Sequence, residues 1–172
     1  MQLEINPKLR LRDWRDQDEK RLVSLANNDK IARNLMDVFP HPYTKEDARH
    51  WIKTSGEENE KLLLAIEFNG ELVGAIGAHF KTDVYKYSCE LGYWIGEPYW
   101  GKGIASACID YFTDYLFKTY KINRVYGDVF SNNPASGKVL EKNGFKKEAT
   151  LEKAAFKNGF FIDIWVYSKL KN

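Results

Sequence analysis

Glu90-Leu-Gly-Tyr-Trp-Ile-Gly-Glu-Pro-Tyr-Trp-Gly-Lys-Gly-Ile-Ala-Ser106 is the stretch on which the fold turns. Its first half, taken back to Ser88, is apolar and aromatic and predicts a strand over 88–95. Its second half is a turn holding Gly101 and Gly103, and the apolar periodicity that follows predicts a helix over 103–119. A strand that runs through a glycine turn straight into a helix gathers free backbone N–H groups and the positive end of the helix dipole at one spot. That is a ready anion site, suited to a diphosphate. Gly101 and Gly103 permit close backbone approach, and Lys102 adds a mobile positive charge. A plain strand-to-helix turn has the same pattern, so the spacing alone does not decide.

Downstream lie a strand over 124–130 and a short helix over 134–143. This strand–helix–strand–helix order implies a right-handed crossover and one parallel strand pair. On either side, Asn69-Gly70 separates Lys61–Phe68 from Glu71–Phe80, and Asn158-Gly159 separates 149–157 from Phe160–Tyr167. Asn-Gly between apolar runs is the strongest short hairpin signal, because both residues tolerate positive φ. Toward the N-terminus, 3–11 alternates as a strand interrupted near Pro7, and 14–27 reads as an amphipathic helix. Thr44 caps a further helix that carries Ala48, Trp51 and Ile52. Phe39-Pro-His-Pro-Tyr43 cannot be helical, and 54–60 is a polar surface connection. The expected fold is α/β: a mixed, mostly antiparallel sheet with a parallel central strand pair and helices on both faces, in one domain over 1–172.

Composition excludes several classes. The 172 residues are 44% hydrophobic and 29% charged, as in a globular protein with a sizeable core. A net charge of +2 argues against a nucleic-acid platform. No run approaches the roughly 18 apolar residues of a membrane span, and the first residues lack a secretory pattern, so a cytoplasmic protein without membrane association is expected. Cys89 and Cys108 lack metal or redox spacing and read as two buried, reduced thiols. His41, His50 and His79 are scattered, and no metal site is expected.

The glycine turn, as Trp100-Gly-Lys-Gly-Ile-Ala105, resembles the acyl-CoA diphosphate loop of the GNAT acyltransferases, Gln/Arg-x-x-Gly-x-Gly/Ala opening a helix. A second match, Asn133-Pro-Ala-Ser136 leading to Val139-Leu-Glu-Lys-Asn-Gly-Phe145, is similar to the family's Asn-x-x-Ser/Ala…Glu-Lys-x-Gly-Phe block. Trp100 stands where Gln or Arg is usual, a departure shared with the branch of ribosomal-protein N-terminal acetyltransferases, which the stretch 39–52 also resembles. The resemblance implies an enzyme that moves an acetyl group from acetyl-CoA to an amine, most readily the α-amine of a protein or peptide. A small amine (polyamine, amino acid or antibiotic) is the alternative acceptor, and a non-catalytic acyl-CoA-binding module is a third. Acceptor identity, acyl-chain preference and the choice between monomer and homodimer stay open.

The resemblance also implies roles. Tyr93, Trp94, Ile95, Gly101, Lys102, Gly103, Ile104, Ala105, Ser106 and Asn133 would bind the cofactor, with a bulge splaying the 88–95 strand from its neighbour. Glu90 shares a face with Gly92 and Trp94 by alternation and is the candidate base, acting directly or through water. It reads equally as a strand carboxylate paired with a lysine or arginine. The family's thiolate-protonating tyrosine falls at Leu140, which cannot donate. Ser136 is the substitute, unless its hydroxyl only bonds locally in the first helical turn. Asn133 before Pro134 is a natural N-cap, and Gly144 fits the C′ position. Phe39, His41 and Tyr43 would line the acceptor side, and the two aromatic residues also suit a core.

Overall fold

The computed structural model describes residues 1–56 and 60–171, so Glu57, Glu58 and Asn59 of the polar connection lie outside the described residues. Eight strands form one sheet: β1 (Gln2–Asn6), β2 (Leu9–Arg12), β3 (Lys61–Phe68), β4 (Glu71–Phe80), β5 (Ser88–Ile95), β6 (Arg124–Phe130), β7 (Lys146–Lys157) and β8 (Phe160–Leu170). Their spatial order is β1-β2-β3-β4-β5-β6-β8-β7, and every neighbouring pair is antiparallel except β5 with β6. The crossover that makes this pair parallel is α4 (Ile104–Thr119). The expected mixed sheet with one parallel central pair is therefore what forms.

Helices cover both faces. On one face α4 buries Ile104, Cys108, Ile109, Phe112, Leu116 and Phe117, at helical spacing, against β2 to β6. Each fully buried side chain of this size contributes about 1.5–3 kcal/mol. Beside it, α5 (Pro134–Lys142) adds Leu140. On the other face α1 (Glu19–Ala26) and α3 (Lys45–Thr54) pack Leu22, Leu25 and Ala48 onto Ala65 and Leu72. Thr44 caps α3 as expected, its hydroxyl accepting from the Asp47 N–H while Asp47 returns a bond to the Thr44 N–H. Both Asn-Gly turns form with positive φ at both residues. Both cysteines are free and buried, and burial pushes each thiol up to about 12.

Two N-terminal expectations need correction. Residues 3–11 are not one interrupted strand but the hairpin β1–β2, because Asn6 Oδ1 accepts from the N–H of Lys8 and of Leu9, each at 3.0 Å, and turns the chain back. The helix expected over 14–27 begins late, with a 3₁₀ turn at Asp16–Asp18 before α1. The cause is a buried ionic knot: Arg12 donates at 2.8 Å to both oxygens of Asp18 and at 2.6 Å to Glu67 of β3. Asp18 is thereby pinned to β2 and the chain at 15–18 closes tightly. A four-residue helix, α2 (Asp29–Ala32), was not foreseen; Asn28 caps it by accepting from the Lys30 N–H.

Candidate active site

The site begins where the sheet opens. β5 and β6 pair only across Ser88–Glu90 and Arg124–Tyr126, although the strands continue to Ile95 and Phe130. Each strand stays in even register with its outer neighbour, β5 with β4 through Ile95 and β6 with β8 through Phe130. The two inner edges therefore part, leaving a V-shaped gap beside residues 92–95. The expected splay is present. The expected bulge is not, since β5 carries no register shift against β4. Divergence of two regular ladders opens the gap without an extra residue.

At the end of β5 the chain enters the glycine turn. Gly101 and Gly103 take φ of 72° and 75°, the left-handed region, and a Cβ on either would meet nothing within 4 Å. Open space thus lies over the turn. Among the described residues, no protein acceptor takes the N–H of any residue from Gly101 to Ser106, and the first internal bond there is Ala107 N–H to the Gly103 carbonyl. Six consecutive amides at the start of a 16-residue helix suit the oxygens of a diphosphate. Lys102 is exposed, with its ammonium over the Tyr99 ring at 5.0 Å. Ile104 is buried and Ala105 packs against the core, so both anchor the helix start and offer only backbone to the turn. Ser106 Oγ accepts from Asn143 Nδ2 at 3.1 Å, which ties the turn to α5. Trp100 does not point into the opening as Gln or Arg would: its indole N–H donates at 2.6 Å to the Ile95 carbonyl and holds the turn against the end of β5.

Alternation divides β5 between the faces. Leu91, Tyr93 and Ile95 belong to the α4 face, whereas Trp94 packs in the cluster with α1 and α3. Glu90 and Gly92 share Trp94's face, and Gly92 has open space where a side chain would be. Glu90 does not stand free. Lys81 Nζ is 2.8 Å from its Oε2 and the Tyr126 hydroxyl donates to the same oxygen at 3.4 Å. The ion pair foreseen as the alternative role is therefore formed, and Glu90's negative charge in turn raises the Lys81 ammonium. The sequence did not single out Asp128. It lies two residues past Tyr126, Glu90's partner in the register, and so on Glu90's face at the open part of the gap. Partial burial raises its carboxyl above the usual range, and the negative charge of Glu90 adds to the shift. Alternation assigns Asp128 a face within its own strand, but only the β5–β6 register brings it beside Glu90.

On the α4 face, Asn133 caps α5 and accepts from the Ser136 N–H at 3.4 Å. The Ser136 hydroxyl lies 2.8 Å from the Tyr93 hydroxyl. Leu140 is fully buried in the core. Gly144 holds the expected positive φ just past α5. The acceptor-side expectations divide. Phe39 packs on Trp94 with ring centroids 5.8 Å apart, Tyr43 lies behind Phe39 in the core, and His41 is exposed. The β7–β8 hairpin reaches the same region, where Lys157, itself buried, places its ammonium 2.6 Å from Asp37. Phe156, Phe160 and Phe161, next to Lys157 on the same hairpin, are exposed. Among the described residues no cluster of three or more His, Cys, Asp or Glu can hold a metal, and no helix is long and apolar enough to cross a membrane.

Residues 8–146 match the model of the acetyltransferase (GNAT) domain. The chain belongs to the GNAT acetyltransferases. It is 31% identical to YoaA, an uncharacterized N-acetyltransferase of Bacillus subtilis (strain 168), over 95% of this chain and 94% of that one. The fold superposes on RimL, a ribosomal L7/L12 α-N-protein acetyltransferase in complex with coenzyme A, with a TM-score of 0.88, 20% identity and 99% and 98% of the two chains covered. It also matches a spermidine N-acetyltransferase from Vibrio cholerae in complex with CoA and spermine, with a TM-score of 0.81, 24% identity and 96% of each chain covered. At these identities the two structural likenesses concern the fold. The family itself makes this chain an acetyltransferase of GNAT type.

Proposed function

We propose that this GNAT enzyme transfers an acetyl group from acetyl-CoA to a primary amine, in the first place the α-amine of a protein or peptide N-terminus, by direct attack on the thioester. The observation that carries the proposal is the gap between β5 and β6, with free amides at its glycine-turn end and carboxylates along one face. In this scheme the N–H groups of 101–106 and Lys102 take the diphosphate. The unpaired edge at Gly92–Ile95 and the Asn133 side chain take the amides of the pantetheine arm. Ser136 stands at the thioester sulfur. The acceptor enters from the opposite face, over Glu90, Gly92 and Trp94, with Phe39 as an apolar wall, Tyr43 supporting it and His41 on the rim.

The nucleophile is the neutral amine. An α-amine with pKa of about 8 is roughly one-tenth neutral at pH 7, whereas a lysine amine near 10.4 is neutral only about once in several thousand. A positioned carboxylate typically contributes about 10²–10⁴ in rate. Here the proton leaves to the Glu90–Asp128 pair, directly or through a water.

A small cationic amine is the second acceptor class, favoured by those two carboxylates on one face. Thiol release from acetyl-CoA, followed with short peptides bearing free N-termini, with spermidine and with free amino acids, separates the classes. The proposal expects the peptides to give the highest kcat/KM. Highest kcat/KM with spermidine or an amino acid would move the acceptor to the small-molecule class. Thiol release with none of them would contradict transferase activity toward these acceptors and leave an acyl-CoA-binding module.

A further inference from the structure

The resembled family protonates the departing thiolate from a tyrosine on the helix equivalent to α5, and this chain has buried Leu140 there. A serine alcohol is a far weaker acid than a phenol, whose pKa is about 10. Ser136 alone therefore replaces the missing tyrosine poorly. The structure supplies a phenol from another element. Tyr93 lies in the part of β5 that has left β6, on the α4 face, and its hydroxyl reaches the first turn of α5, 2.8 Å from Ser136 Oγ and 3.5 Å from the Ser136 carbonyl. The Ser136 N–H is already held by Asn133, so its position is fixed from both sides.

We propose that Tyr93 is the proton reservoir behind Ser136, taking over from β5 the role that a tyrosine on α5 plays elsewhere in the family. The inference rests on the acetyl transfer proposed above. As the tetrahedral intermediate collapses, the C–S bond breaks and its electron pair stays on sulfur. Sulfur takes the Ser136 hydroxyl proton while the Ser136 oxygen takes the Tyr93 phenolic proton. Tyr93 is left as a phenolate and recovers a proton from solvent, and the proton given up by the amine leaves through the carboxylates on the opposite face. No net charge accumulates over a turnover.

The surroundings suit a stored proton. An ordinary phenol, with a pKa of about 10, is protonated at neutral pH; burial raises Tyr93 further and the bond to Ser136 opposes that shift. Among the described residues no charged group contributes to this shift: β4 places Ile76 opposite Tyr93, α5 presents the Ser136 hydroxyl, and Asp110 of α4 with Lys138 and Glu141 of α5 are exposed.

Tyr93→Phe keeps the ring and removes only the proton. With the native protein turning over, the expected result is a kcat lower by about 10²-fold, the low end for losing a general acid, with the acetyl-CoA dissociation constant within about twofold. The fall in native kcat at alkaline pH, as the phenol ionises, should be missing from this variant. Replacement of Tyr93 by 3-fluorotyrosine, a more acidic phenol of nearly the same shape, should keep turnover and move that fall to lower pH. Ser136→Ala and Tyr93→Phe should not be additive, since each breaks the same relay. Full kcat in a folded Tyr93→Phe, or an alkaline fall that 3-fluorotyrosine leaves in place, would overturn the proposal and reduce Tyr93 to a strut. A native protein that binds acetyl-CoA but transfers to no amine would overturn the proposed function itself.

Discussion

The two sides of β5 are built from different materials. On the proposed donor side the available groups are backbone: six amides, two glycines at positive φ, and a strand edge freed by divergence of two regular ladders. On the proposed acceptor side they are side chains brought together from distant elements: Glu90 with Lys81, Asp128 from β6, Phe39 on Trp94, and Asp37 clasped by Lys157 from the last hairpin. A backbone site depends on chain geometry and tolerates many sequences, which suits a donor common to a family. A side-chain site changes with single substitutions, which suits acceptors that differ among its members.

That contrast breaks first at the carboxylates. Asp128→Asn and Glu90→Gln should each lower kcat by about 10- to 10³-fold while leaving acetyl-CoA affinity unchanged, read by thiol release and calorimetry on the same preparations. Full rate in Asp128→Asn beside a loss in Glu90→Gln would remove Asp128 from the proton transfer and leave Glu90, whose ion pair with Lys81 that variant also breaks. Equal loss of acetyl-CoA binding in either variant would mean that the two sides are not separate.

A smaller effect is expected where the acceptor wall is fastened. Asp37→Ala leaves the buried Lys157 ammonium without its carboxylate. Because Asp37 is itself largely exposed, the stability cost should be no more than about 1 kcal/mol. The acceptor KM should rise several-fold as the 33–43 loop loosens, with the acetyl-CoA KM unmoved. Unchanged acceptor KM would show that the hairpin is only packed there and shapes no part of the site.

The same division explains what could be read from the chain beforehand. Gly101 and Gly103, Asn133 before Pro134, and the two Asn-Gly turns act within a few residues of themselves, so their spacing predicts their geometry. Arg12, Asp18 and Glu67 act across as many as 55 residues, which is why the late start of α1 was missed. Lys157 meets Asp37 across 120 residues, and no local pattern announces that contact. Asp128 was hidden for a subtler reason: alternation fixes its face within β6, but its neighbours depend on the β5–β6 register. The Tyr93–Ser136 bridge likewise needs α5 to be docked before either hydroxyl has a partner.

Calorimetric titration of acetyl-CoA into the native protein and into folded Gly103→Trp tests the backbone origin of the donor site most directly. Gly103 sits at a φ of 75° with open space above it, so a large side chain there strains the turn and fills the room proposed for the diphosphate. The expected result is binding to the native protein and a dissociation constant raised by about 100-fold or more in the variant, about 2.7 kcal/mol. Native protein at about 100 times its dissociation constant should also gain roughly 2.7 kcal/mol of stability that the variant does not. Equal affinity in the two proteins would contradict an acyl donor held by the amides of this turn.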